Sequence, residues 1–137
     1  IDFDAVYEGP FGEIRWRTWE TVGGEMEISN LFNRGLIVHK TAYAVSDVEN
    51  DRERDALMGI SSDDDCIVRI NGTEVYRYEG SGGVTRDKFK VHVRLPKGRF
   101  RLFVKCHNRL GGWGFSLRFM DLAGKPLKGL RFDPERQ

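Results

Sequence analysis

Asp63, Asp64 and Asp65 stand together at the entrance to an apolar run, and three adjacent carboxylates have the most obvious capacity for chemistry in this chain. Hard carboxylate oxygens suit Ca²⁺, but a calcium site takes about six to eight oxygens from several loops, and the D-x-D-x-D-G spacing of a calcium loop is missing. The alternative is structural: aspartates at a strand entrance accept backbone N–H groups, and a guanidinium such as that of Arg118 can pair with one of them. Glycoside cleavage needs two acids facing each other across a cleft, and the spacing gives no signal of that. His39, His92 and His107 lack His-x-His or His-x-x-x-His spacing, so no metal site follows from them. No serine sits in a Gly-x-Ser-x-Gly elbow, and Gly80-Ser81-Gly82-Gly83 reads as a flexible loop without the strand-to-helix context of a phosphate loop. Asn71-Gly72-Thr73 has the form of a glycosylation acceptor, although turn geometry already accounts for Asn-Gly. With no catalytic set among these residues, the chain reads as a non-enzyme.

Composition supports a soluble globular fold: 39% of the 137 residues are apolar and 31% charged, with sixteen glycines and four prolines. Length predicts one domain over residues 1–137, expected to be excised from a larger protein. The first residues are not a signal peptide, and the longest apolar run falls far short of the roughly 20 residues that cross a bilayer. A net charge of +1 conceals an asymmetry: residues 1–65 carry six basic and fifteen acidic side chains, residues 66–137 sixteen basic and six acidic. Acidic early segments lying beside basic late strands would offset each other; a basic ligand-binding face is the sharper alternative. Nucleic acid is not indicated, because the cations are not interleaved with stacking aromatics. Cys66 and Cys106 each fall at an inward position of an expected strand, as small buried hydrophobes, or as a disulfide if their strands are neighbours.

Strands must position these residues. Over residues 11–22 apolar and charged side chains alternate, with Ile14 and Trp16 on one face and Trp19 near the end, before Gly23-Gly24 breaks the run. Residues 25–28 form a second short run leading into a loop at 29–35. Residues 36–48 read as a clearer strand, where Val38, Ala42 and Ala44 interleave with Tyr43 and Val45 and the small alanines suggest close approach of an opposing sheet. Residues 49–55 lack an apolar face and read as a solvated connection, and 56–60 as the next strand. Cys66, Val68 and Ile70 then alternate with Ile67 and Arg69, Asn71-Gly72 supplies the two positive-φ residues of a type I′ turn, and Val75 resumes the apolar pattern, giving a β-hairpin. Phe89, Val91, Val93 and Leu95 form the cleanest period-two run, and after Pro96-Lys97-Gly98 the residues Phe100, Leu102, Val104 and Cys106 form another. Beyond a reversal at 108–112, Trp113, Phe115, Leu117 and Phe119 share one face of the last long strand, which ends in a turn at 121–124. Many short strands without a 3.6-residue period predict an all-β protein, a β-sandwich of two antiparallel sheets.

Taken in order, Ala42-Tyr43-Ala44, Ser62-Asp63-Asp64, Ile70-Asn71-Gly72 with Val75, Leu95-Pro96-Lys97-Gly98-Arg99, Gly112-Trp113-Gly114-Phe115-Ser116-Leu117-Arg118 and Asp121 resemble a galactose-binding-like jelly-roll domain. Such domains are similar to the carbohydrate-binding modules of bacterial polysaccharide-degrading enzymes, and the likeness runs from about Trp16 to Leu130. The resemblance implies a jelly-roll sandwich in a secreted, periplasmic or cell-surface protein. Similar modules often hold a structural calcium, which the resemblance does not assign to named residues here. This chain has Phe100 where the family often has Asn, and Arg69 where an aromatic is common, so contacts at those positions do not carry over.

Sugar binding calls for a ring to stack on the apolar C–H face of a pyranose, with amide, carboxylate or guanidinium groups for its hydroxyls. His107, Asn108, Arg109 and Trp113 offer such a set in one loop, at the end of the sandwich where sequence is free to vary. Trp113 shares parity with Phe115 and Leu117, so a core position is the competing reading. Trp19, Tyr76 and Tyr78 are the other candidate platforms; Tyr76 and Tyr78 share a face that stacks a sugar if open and packs across strands if not. The expected function is that of a non-catalytic carbohydrate-binding module targeting an exported enzyme to polysaccharide or oligosaccharide. Outward Lys88, Lys90, Arg94, Arg101 and Lys105 favour an acidic polysaccharide, with a neutral glycan the alternative. The expected partners are the glycan and the catalytic domain of the parent protein, with no nucleic acid and no membrane, and the module is expected to be a monomer without a cofactor other than that calcium. The rival is a docking sandwich that packs on a catalytic domain without binding sugar.

Overall fold

Strands whose side chains alternate between apolar and polar can bury only one face each, so they assemble into sheets whose apolar faces meet. The computed structural model, which describes residues 1–9, 12–21, 23–31 and 39–133, is built this way. Its strands are β1 (Val6–Gly9), β2 (Gly12–Arg15), β3 (Glu25–Glu27), β4 (Lys40–Asn50), β5 (Arg54–Asp63), β6 (Asp65–Ile70), β7 (Thr73–Tyr78), β8 (Phe89–Leu95), β9 (Gly98–Asn108), β10 (Gly114–Met120) and β11 (Leu130–Asp133). A four-stranded sheet, β3-β10-β5-β8, faces a five-stranded one, β11-β4-β9-β6-β7, while β1 and β2 form a separate ribbon. Every pairing within them is antiparallel, and the two larger sheets make a β-sandwich around Val48, Met58, Ile60, Val68, Leu95, Phe100 and Phe119. No helix among the described residues is long and apolar enough to cross a membrane.

The expected strands at 66–76, 89–95, 100–106 and 113–119 are present, the third beginning earlier, at Gly98, and the last at Gly114 rather than Trp113, and elsewhere the boundaries move further. The expected strand over 11–22 shrinks to Gly12–Arg15, because its partner is the short β1 rather than a sheet; Phe11 and Val22 lie outside the described residues. The expected loop at 29–35 begins as a 3-10 turn, Ile28–Leu31, held by the Ile28 and Ser29 N–H groups donating to the Trp113 carbonyl at 2.8 and 3.1 Å. Residues 32–38, including Val38, lie outside the described residues. The supposed solvated connection at 49–55 is mostly strand: β4 runs to Asn50 and β5 starts at Arg54. Asn50 is buried there, donating to the Pro96 carbonyl at 2.8 Å and accepting from Arg54 at 2.9 and 3.1 Å, so polar residues are tolerated inside because each has a partner.

The glycine-rich stretch after β7 is likewise not free. Gly80 and Gly82 N–H groups donate to the Asp65 and Asp64 carboxylates at 2.8 and 3.1 Å, Ser61 Oγ donates to the Gly83 carbonyl at 3.1 Å, and the Thr85 N–H donates back to Ser61 Oγ at 2.9 Å. The chain is thereby laid along the outer face of the four-stranded sheet on its way to β8. It ends above Gly59, where Asp87 takes the Arg118 guanidinium, Nε lying 2.9 and 3.0 Å from the two carboxylate oxygens. A Cβ at Gly59 would run into the Asp87 carboxylate and come within 3.0 Å of Met120, so glycine is what lets the covering segment lie close.

The charge asymmetry resolves into cross-strand pairs. Asp47 on β4 is opposite Arg101 on β9, accepting from it at 2.8 and 2.9 Å and from Arg99 at 3.1 Å. Asp55 and Glu53 flank Arg94 in the same manner at 3.2 and 3.5 Å. The Arg101 hydrogen bonds, with Arg99 behind them, outweigh burial and hold the Asp47 carboxyl down at about 2.

Two predictions follow from these contacts. Gly59→Ala is expected to destabilise the fold by about 2 kcal/mol in urea denaturation, and by clearly less in an Asp87→Ala background where the obstructing carboxylate is gone. Because the folded chain holds Asp47 below its unfolded value, its contribution is complete above about pH 4 and fades as pH falls towards 2. Asp47→Asn should therefore lower stability by about 1–2 kcal/mol at pH 7 and flatten the acid limb of a stability–pH profile.

Candidate functional site

Parity decides where each candidate ring points. Trp113 continues the inward row of Phe115, Leu117 and Phe119, and its indole lies in the core at 3% exposure, with Nε1 donating to the Cys106 carbonyl at 3.2 Å. It offers no open face to a sugar, which corrects its reading as a stacking platform. Asn108 is fully buried, with Nδ2 donating to the Gly111 carbonyl at 3.3 Å, and so shapes the 108–111 turn rather than facing solvent.

A one-residue irregularity redirects the tyrosines. A two-residue turn with uninterrupted pairing would set Val68 against Val75 and turn Tyr76 and Tyr78 outward. Asn71 and Gly72 do take the turn at φ 48° and 81°, but the register shifts between Val68 and Arg69, so Val68 pairs with Tyr76 and Cys66 with Tyr78. Both rings consequently point between the sheets and pack on Phe89, at centroid distances of 6.3 and 5.8 Å. They close the edge of the sandwich where β7 and β8 run, and Tyr78 OH donates to the Ser81 carbonyl at 2.6 Å. The open stacking surface expected of Tyr76 and Tyr78 is thus filled by cross-sheet packing.

His107 and Arg109 do come together, with Tyr78, around a hollow of about 280 Å³ that also includes Thr41, Asp65 and Lys105. Two pairs of its polar groups are engaged with one another. His107 Nδ1 shares a hydrogen bond with Thr41 Oγ1 at 2.8 Å, and Arg109 donates to Asp65 at 2.8 and 2.9 Å. Arg109, helped by the Gly80 N–H, outweighs burial and holds the Asp65 carboxyl below the usual range. The guanidinium expected beside the aspartates is therefore Arg109, while Arg118 serves Asp87.

The three aspartates diverge. Asp64 is buried and accepts N–H groups from Gly82 at 3.1 Å and Arg109 at 2.7 Å. Asp63 lies beside Gly112, where burial, the hydrogen-bonded Asp64 carboxyl and nearby Glu27 push it up to about 6. Among the described residues, no group of three or more His, Cys, Asp or Glu side chains is placed to hold a metal ion.

A larger cavity, about 720 Å³, lies elsewhere, between the two sheets beside β3 and β4. Ala44, Leu102 and Val104 line it from the five-stranded sheet, Met26, Phe115 and Leu117 from the other, and residues 16–21, with Trp16 and Trp19, complete the lining. Trp19 is 52% exposed there, beside the outward Tyr43. Charged lining groups are balanced: Arg17 and Arg118 against Glu20 and Asp47. Ala44 was expected to mark close approach of the sheets; its small side chain instead forms part of the wall of an open space. Of the sequence candidates only Trp19 reaches this cleft, and the broken alternation that sets Trp19 out of phase with Ile14 and Trp16 was the signal that the strand had ended.

The outward cations do not form one surface. Lys88, Lys90 and Arg94 lie at or on β8 in one sheet, Arg101 and Lys105 on β9 in the other, and Arg94 and Arg101 are ion-paired. No family model, curated protein or solved structure matches the chain.

Asp63 gives a test of local electrostatics. Its folded value exceeds its unfolded one, so the folded chain holds the proton more tightly and loses stability as pH rises from about 4 to about 6. Asp63→Asn should stabilise the protein by about 1 kcal/mol at pH 7, with the difference vanishing near pH 3.5 in thermal unfolding followed across pH.

Proposed function

We propose that this chain is a non-catalytic carbohydrate-binding module that holds an exported enzyme on polysaccharide, with a neutral glycan seated in the cleft between the sheets. The observation that carries this reading is the half-exposed Trp19 in the lining of a 720 Å³ cleft that Trp16 and Tyr43 also line. An indole face is suited to the axial C–H groups of a pyranose, and Arg17 and Glu20 flanking it are suited to its hydroxyls. A neutral chain fits better than an acidic one because the lining carries two groups of each sign and the outward cations are divided between opposite faces. Turnover is not part of the reading: Asp64 is buried with its oxygens on two N–H donors and lies outside the cleft lining, and Asp47, which does line it, is tied to Arg99 and Arg101. The module works as a monomer beside the catalytic domain of its parent, outside the cytoplasm. The docking alternative draws on the β1–β2 ribbon, where Tyr7 and Ile14 are cross-strand partners and both exposed.

Affinity electrophoresis in gels cast with neutral and acidic polysaccharides separates these readings. Retardation is expected by at least one neutral glycan, insensitive to salt, and Trp19→Ala should weaken it about tenfold or more at unchanged thermal stability. Trp113→Ala should unfold the protein instead. Retardation only by acidic glycans and abolished by salt would move the site to the cations, and silence across glycans would favour docking.

A further inference from the structure

The sandwich buries two thiols that the proposed sugar site does not use. Cys66 on β6 and Cys106 on β9 are direct cross-strand partners, each 1% exposed and on the face that meets the four-stranded sheet. In an antiparallel ladder, hydrogen-bonded and non-hydrogen-bonded positions alternate, and side chains come closest at the latter. At the end of this ladder the Asn71 N–H donates to the Arg101 carbonyl at 2.9 Å, in the same register as the pairs Ile70↔Leu102 to Asp65↔His107, which run without a shift. Position 71/101 is therefore hydrogen-bonded, and alternating back from it places Cys66 and Cys106 at a non-hydrogen-bonded position. There Cα atoms lie about 4.5 Å apart, within the roughly 4.4–6.8 Å that a disulfide spans.

We infer that Cys66 and Cys106, free thiols in this structure, close into a disulfide joining β6 to β9 when the chain folds in an oxidising compartment. The oxidant is a small-molecule or protein disulfide. One cysteine thiolate attacks it, forming a mixed disulfide and releasing one thiol; the second cysteine then displaces the other half, so the Sγ–Sγ bond forms as the oxidant is reduced to two thiols. The exchange belongs to folding, before the sheets meet, because in the closed core burial pushes the Cys66 thiol up to about 12 and Cys106 higher, leaving almost no thiolate. The bond would lie directly beneath the turn that carries Asp64 and the loop that carries Arg109. It is independent of the sugar reading and stands or falls without it.

Refolding the full chain from denaturant with oxidised and reduced glutathione, against a parallel refolding with reductant alone, tests it. Oxidative refolding should give a monomer lighter by two hydrogens, with no thiol titratable in denaturant and a 66–106 cross-linked peptide on mapping. Its Tm should exceed that of the reduced chain by about 10 °C. The Cys66→Ala, Cys106→Ala double variant should melt alike in both buffers; if it folds poorly, the reduced wild-type chain supplies the comparison. Two titratable thiols per natively folded chain after oxidative refolding, stable glutathione adducts, or cross-linked dimers would each overturn the inference.

Discussion

The eleven-residue ladder between β4 and β9, from Lys40↔Asn108 to Asn50↔Gly98, is the constraint from which the other placements descend. Its register determines which side chains oppose one another, since a slip of one residue would exchange the buried and exposed faces of both strands. With that register fixed, Asp47 meets Arg101, Thr41 meets His107, and Ala42 and Ala44 are set beside Cys106 and Val104. Because β9 pairs with β6 along its other side, the same register also brings Cys106 to Cys66. The ion pair, the polar hollow and the thiol pair are thus consequences of one alignment.

Charge follows the same logic. Acids concentrated in the first half of the chain and bases in the second would repel within each half if the halves packed separately, but β4 with β9 and β5 with β8 interleave them. Arginines on these strands are thereby paired with acids, as at Arg94, Arg99 and Arg101. A basic surface inferred from composition is thereby reduced at Arg94, Arg99 and Arg101, where neighbouring strands or turns supply the counter-charge. Such exposed pairs contribute little each; Asp47, buried beneath two guanidinium groups, is the exception.

Much of the fold was legible because several strands bury one face completely. In β9 every second residue from Phe100 to Cys106 is buried, and the same period in β6 and at the end of β8 predicted both the strands and the sandwich, whereas β10 is buried on both faces. The core position of Trp113 was legible in its parity as well. What escaped were features created by distant partners. The strand β1 has few residues and an exposed face, so no period announces it. The glycine-rich segment after β7 reads as flexible, yet it is fixed by carboxylates and a serine that arrive from β5, β6 and the turn between them. The bulge in the hairpin leaves no mark in the alternation of residues 66–76, and it inverted the facing of both tyrosines.

That inversion bears on where a ligand is able to bind. A two-sheet sandwich has two long edges at which its core meets solvent, and each must be closed by side chains or by a crossing segment. At the β7–β8 edge, Tyr76 and Tyr78 on Phe89 fill the gap with rings. Beside β3 and β4 the space between the sheets is lined by Ala44, Leu102 and Leu117 together with Phe115 and Phe119, and Trp16 and Trp19 belong to the same lining. Aromatic side chains therefore fill the gap at one edge, while at the other they line a space they leave open. Trp19, half-exposed in that lining, has ring surface that the core does not cover, whereas Trp113 is buried, and this difference is why the proposed sugar site is set in the cleft rather than in the loop beside Trp113.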